Sequence, residues 1–324
     1  MPRTRLYRNG VLERENLAVS EISEVLDGPG VVVWLDLCTA DGEGLEAIEE
    51  EFGLHALAIE DASQGRQRPK VDHYATHLFV NAYEVAFDET TTELVSHEVS
   101  MFVLPNALIT VRKDREFDIA EVVSRWDNSP DLAKEGVGFL LYGVLDHIVD
   151  GHFTAVQDLD EKIDALEDEL FDDSHDHIRD VQRKSFALRK NLLLLRRFVL
   201  PMREVVNGLM RRDLKVVTEP LMPYYQDVYD HVLRATEWTE SLRDMVSTIL
   251  ETNLTIQGNR MNLIMKKVTS WAAIIAVPTA VTGFYGQNLP YPGFNHQSGF
   301  IVSSVLIAGG AALLYWIFRR KDWL

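Results

Sequence analysis

Three places in the sequence bring together side chains able to hold a ligand or an ion. The first is "YGQN", residues 285–288, within "TGFYGQNLPYPGFNHQSG", a stretch with no lysine, arginine, aspartate or glutamate. A glycine followed by two amides offers close backbone approach and uncharged donors and acceptors. Read locally, Asn288 also suits the C-terminal cap of a helix. The second is "EDELFDDSHDHIRD", residues 167–180. Its acids and histidines are ligands for a divalent ion, yet the pattern reads more simply as the solvated tip of a helical hairpin. The third is the pair His73 and His77, whose spacing suits a metal only on a helix. The surrounding "YATHLFVNAYEV" is strand-like and separates them. No glycine-rich phosphate loop and no recognisable catalytic setting of Ser, His and Asp is present, so the chain does not read as an enzyme.

The elements that position "YGQN" are two apolar runs, Val268 to Tyr285 and Gly299 to Phe318, neither with a charge. As helices they span about 27 and 30 Å, close to the hydrocarbon thickness of a bilayer. Lys266 and Lys267 precede the first run, and Arg319, Arg320 and Lys321 follow the second. The positive-inside rule places both ends in the cytoplasm and the connecting loop outside. Tyr285, Tyr291, Phe300, Trp316 and Trp323 stand near the ends, where aromatic rings suit the interfaces. One side of the first run carries Asn262, Thr269, Ala272, Ala276, Thr279 and Gly283 at helical steps of three and four. Such a stripe serves either close helix packing or the lining of a water-filled path, and the second use needs an oligomer.

The formal net charge is −18, and the residues from Asn262 onward carry +4, so the first 261 carry −22. An acidic body attracts cations and excludes nucleic acid as the leading partner. The one cysteine, Cys38, allows no internal disulfide and reads as a small buried strand residue. The N-terminus "MPRTRLYRNG" lacks the apolar core of a signal peptide. These features place the acidic body in the cytosol, with both termini.

No proline occurs between Pro223 and Pro278. Val228, Val232, Ala235, Thr239, Leu242, Val246, Ile249, Asn253 and Ile256 repeat every 3.5 residues, as in a bundle seam. This reads as a stalk packed around an axis and continuous with the first membrane helix. Val137 to Leu170 and His177 to Met210 read as two further helices. Upstream, "GVVVWLDL", "THLFVNAYEVAF", "VSHEVSMFVLP" and "ALITVRK" have strand character, while "EGLEAIEEEFG" and "EFDIAEVVSRW" look helical. The expected organisation is α+β: an α/β domain over 1–130, a helical hairpin region over 131–221 and a stalk over 222–267. A membrane helix over 268–287, an outer loop over 288–298, a second membrane helix over 299–318 and a basic tail over 319–324 complete it.

"YGQN" between such helices resembles the Tyr-Gly-Met-Asn signature of the CorA family of divalent-cation channels. "IEDASQGRQRPKVDHY", "FALRKNLLLLRRFVLPMREVVNGL" and "YYQDVYDHVLRATEWTESLRDMVSTILE" are similar to the same family, so the resemblance covers most of the chain. It implies a homopentamer in the cell membrane whose first membrane helices line the pore. Gly286, Gln287 and Asn288 would form the selectivity filter, with Asn288 supplying an amide ring. Magnesium gives up its water reluctantly, and an amide ring binds the hydrated ion without the grip of a full charge. Asn262 and Thr279 would be polar rings, Met265 and Val268 the hydrophobic constriction, and Glu251 an acidic ring in the stalk. Asp227 would meet a carboxylate of the next subunit, with Asp61 as its partner, and a bridging magnesium ion would favour the closed state.

Three departures touch ion choice. Gln287 replaces the usual methionine, the outer loop lacks an acid, and Ala276 stands where a bulky apolar residue is usual. The resemblance implies magnesium as cargo and regulator, with cobalt or nickel also carried. The departures leave open a zinc transporter of the ZntB branch, coupled to protons.

Overall fold

The structure is a computed structural model that describes residues 3–39, 45–65, 67–171, 177–287, 290–294 and 296–324. The chain forms two compact units, residues 1–249 and 250–324.

The first unit is built on a seven-stranded sheet. Its strands are β1 (Arg3–Arg8), β2 (Val11–Glu15), β3 (Val31–Cys38), β4 (Lys70–His73), β5 (Leu78–Asp88), β6 (Glu93–Val103) and β7 (Ala107–Arg112). They lie in the order β2-β1-β3-β7-β6-β5-β4. Only β3 and β7 run parallel, so the sheet is mixed. Central strands buried on both faces need apolar residues at nearly every position, which explains "VVVWLDLC". The one acid in that run, Asp36, is 3% exposed and takes a forked pair of bonds from Arg112 of β7 at 2.6 and 2.9 Å. Thr110 donates a third bond to it at 2.8 Å.

Successive strand residues feed opposite layers. Phe79, Phe102, Ile109 and Val33 pack under the short helices α1 (Ile22–Leu26), α2 (Glu46–Phe52) and α3 (Ala56–Gln64). Val80, Met101, Leu108 and Trp34 face the other layer. That layer holds α4 (Ile119–Asp127), α6 (Val137–Leu170), α7 (His177–Leu209) and the start of α8 (Met222–Tyr285), with the short α5 (Pro130–Ala133) leading into α6.

The 3.5-residue repeat of α8 is occupied differently from the expectation. Val228, Val232, Ala235, Thr239, Leu242, Val246 and Ile249 are each at most 3% exposed within one chain. Val228 and Val232 share a core with Leu141, Leu145 and Val205 of α6 and α7. Phe153 of α6 meets Trp238 edge-on at 5.4 Å, and Arg196 of α7 pairs with Glu240. The seam is thus filled by the chain's own helices rather than turned to an oligomer axis. Spacing alone does not tell which helix a stripe will meet.

The second unit holds the rest of α8 and the helix α9 (Gln297–Arg320), both long and apolar enough to cross a membrane. Their close approach is marked by Gly310, where an added Cβ would stand 2.9 Å from Val277 Cγ1. Between the helices Gly293 has φ +95°, a conformation that glycine adopts without strain.

Candidate functional site

The site begins on the membrane portion of α8. Ser270, Ala273, Ile274, Val277, Val281 and Tyr285 are buried or half-buried, a stripe at helical spacing on the side that meets α9. Thr269, Ala272, Ala276, Thr279 and Gly283 are all exposed, and helical periodicity places them on the opposite side. Followed backward in alternating steps of four and three, the bare stripe passes Met265, Asn262, Gly258 and Thr255 to reach Glu251, all exposed. Val268 lies just beside it, 59% exposed, and Met265 is 56% exposed. Between Met261 and Thr269 the helix is bare on every side. The expected pore-facing residues other than Val268 therefore share one exposed strip, within a surface that also bares Trp271, Ile275 and Phe284. Thr255 and Gly258 extend it, a signal present in the 3.5-residue spacing itself.

Two hydroxyls near the outer end of this helix are preset in one role. Thr279 Oγ1 donates to the Ile275 carbonyl at 3.0 Å, and Thr282 Oγ1 to the Pro278 carbonyl at 2.8 Å. A hydroxyl whose proton is held by its own helix presents lone pairs outward. The water shell of a hydrated cation presents protons outward, so Thr279 offers the complement.

At the end of α8, the Gly286 N–H donates to the Thr282 carbonyl at 2.8 Å. A Cβ at Gly286 would lie 2.9 Å from that same oxygen, so the close turn favours glycine. Gln287 follows, exposed. Asn288, the residue expected to carry the amide ring, lies outside the described residues, as do residues 172–176 of the acidic turn.

The two expected regulatory acids occupy different settings. Asp227 is exposed on the first turns of α8. It lies close enough to Tyr142 that, after burial and the charge of Asp146, its own charge helps to raise that phenol above its ordinary range. Asp146 in turn is raised by burial and by Asp150, with Arg125 opposing. Asp61, near the end of α3, is already engaged: Lys70 Nζ lies 2.7 Å and Gln67 Nε2 2.9 Å from its two oxygens. The α3 terminus is tied down by Lys113, which donates to the carbonyls of Ala62 and Ser63. Sequence reading missed the Asp61–Lys70 pair, because Lys70 opens β4 nine residues on, beyond the end of α3, rather than three or four along the helix. Within one chain, no interaction joins Asp61 to Asp227 among the described residues.

His73 is exposed at the end of β4, whereas His77 is buried and stacks on Tyr74 at 5.0 Å, so the two do not form a metal pair. Among the described residues no group of three His, Cys, Asp or Glu is arranged to hold a metal ion.

The chain thus carries an acidic body on a mixed sheet and two helices long and apolar enough to cross a membrane. Residues 29–320 match the family model described as "CorA-like Mg2+ transporter protein", and the chain belongs to that family. It is 30% identical over 283 residues to the cobalt/magnesium transport protein CorA of Thermotoga maritima, covering 86% of this chain and 80% of that one. It is also 27% identical over 281 residues to the zinc transport protein ZntB of an Enterobacter species, covering 82% and 80%. The complete structure of the CorA magnesium transporter from Methanocaldococcus jannaschii superposes with a TM-score of 0.80 at 23% identity, covering 100% of this chain and 99% of that one. The chain is a CorA-family divalent-cation transporter with two C-terminal membrane helices.

Proposed function

We propose that this chain works as a homopentameric channel for magnesium in the cell membrane, with both termini in the cytoplasm. The supporting observation is the uncovered strip from Glu251 to Gly283, which gives α8 a polar, small-residue face that its own hairpin leaves free. Five copies of that face around an axis make a water-lined path. Gly286, Gln287 and Asn288 then stand at its outer mouth as the filter. Asn262 and Thr279 act as polar rings, Met265 and Val268 as the constriction, Ala276 as a wide point and Glu251 as an acidic ring that gathers cations. An inside-negative potential supplies the drive, about 4.6 kcal/mol per 100 mV for a doubly charged ion.

Closure by cytosolic magnesium follows from Asp227 of one subunit and Asp61 of the next. An ion bridging them must displace Lys70 from Asp61, so the site binds only when the ion is abundant. Cobalt and nickel share the path.

Gln287 and the ZntB relative favour a second reading, zinc transport coupled to protons. Flux into proteoliposomes carrying dyes for each ion separates the two. Magnesium entry that follows the membrane potential and ignores a pH gradient supports the first. Zinc entry that follows the pH gradient and ignores the potential replaces it with the second.

A further inference from the structure

The two membrane helices place unpaired positive charge at one level. Val277 and Gly310 mark where α8 and α9 meet. Lys267 and Lys266 lie ten and eleven residues before Val277, and Arg320 and Lys321 ten and eleven after Gly310. Ten or eleven residues is about three helical turns, so each set returns to about the face that meets the other helix, about 15 Å from the crossing. Trp271 and Trp316 each lie six residues from the same pair, about 9 Å toward the same end. Both rings are more than half exposed, at 52% and 56%.

One acid, Asp322, is close in sequence to these cations, and it pairs with none of them among the described residues. From residue 252 to residue 321 the chain contains no aspartate or glutamate, and Asp322 is the sole acid after that. Lys266, Lys267, Arg319, Arg320 and Lys321 are all exposed, and none makes an ion pair among the described residues. Arg320 instead lies over the Trp316 ring at 5.1 Å. The end of α9 is itself ordered. Asp322 has φ +55°, and the Trp323 N–H donates back to the Phe318 carbonyl at 2.9 Å, seating Trp323 on Phe318 with ring centres 5.6 Å apart. The opposite end of the hairpin, residues 281–301, has no lysine, arginine, aspartate or glutamate.

We propose that the inner end of the hairpin is a binding site for the phosphate group of anionic phospholipid. Like charges brought to one level across a helix seam repel unless an anion lies between them. A lipid phosphate supplies that anion at the depth where the tryptophan rings meet the glycerol region. Zwitterionic lipid places a cation beside the same phosphate and gains less. The inference rests on the hairpin lying in a bilayer and is independent of which ion crosses it.

The test uses full-length protein in mixed micelles with brominated phosphatidylglycerol or brominated phosphatidylcholine, reading quenching of tryptophan fluorescence. The native chain should prefer phosphatidylglycerol, and each cation changed to glutamine should lower that preference about fivefold. Arg320→Gln with Lys321→Gln, and separately Lys266→Gln with Lys267→Gln, should show the loss, while Arg320→Lys keeps the preference. Circular dichroism and elution volume identify any variant that misfolds, and the single substitutions then carry the reading. Equal affinity for the two lipids, or an undiminished preference in folded glutamine variants, overturns the proposal. Full competition by millimolar inorganic phosphate also overturns it, because the site would then belong to a soluble anion.

Discussion

Gly310 of α9 comes so close to Val277 of α8 that no β-carbon fits between them without a shift, the distance being 2.9 Å. The hairpin is therefore closed by a helix-to-helix contact that only a missing side chain permits. Gly310→Val should weaken the hairpin by about 1–3 kcal/mol, the usual range for overpacking. Thermal melting of the purified protein checks it. The expected result is a lower midpoint with unchanged secondary structure at low temperature.

Lys70 competes with any ion for the Asp61 carboxylate, at 2.7 Å in a pair about a quarter exposed. If an ion bridges Asp61 and Asp227 as proposed, Lys70→Ala should let it bind at about three- to tenfold lower concentration, and Asp61→Asn should raise the concentration needed. Titration of flux inhibition by magnesium on the cytosolic side reads both. Identical inhibition curves for the two variants and the native chain remove Asp61 from regulation.

His147 of α6 ties three elements together. Its Nε2 lies 3.2 Å from Glu84 of β5 and its Nδ1 3.5 Å from Glu121 of α4, with Arg125 on the far side of Glu121. Burial opposes its charge, but Glu84 and Glu121 outweigh burial and raise its pKa. A raised histidine pKa stabilises the fold below the unfolded value of about 6.5, and that stability is lost as pH rises through the folded value. His152 and His77 are held low by burial and act in the opposite sense, below about pH 6.5. Thermal midpoints measured from pH 6.5 upward should fall for the native chain and fall less for His147→Gln.

Thr279 offers lone pairs because its proton is committed to Ile275. Thr279→Val keeps the shape and removes the acceptor. Magnesium flux should drop about three- to tenfold, the scale of one hydrogen bond, while Thr279→Ser restores it. Single-channel or proteoliposome flux at fixed potential gives the number.

The helices were legible because their periods are long and unbroken. The spans expected from Val137 and His177 end within a residue of those observed. The membrane hairpin was legible from the absence of charge. The β1–β2 hairpin was not read, although "NG" stands at its turn with Asn9 and Gly10 both at positive φ. Charged residues hid it: Arg5 lies buried in β1, satisfied by Asp127 from a distant helix at 2.9 Å. The same limit explains the stalk seam. A row such as Val228, Val232 and Ala235 announces burial, but only the fold tells whether the partner is the chain itself or a second copy. The stripe of small and polar residues was legible as a spacing, and all its members are exposed within one chain.

The central claim is that an uncharged amide at the outer mouth of α8 admits hydrated magnesium. Flux of magnesium into proteoliposomes at an inside-negative potential, compared for the native chain and Asn288→Ala, tests it most directly. Potential-driven entry is expected for the native chain, and its loss in a variant that elutes at the same volume. Full magnesium entry through Asn288→Ala would contradict it.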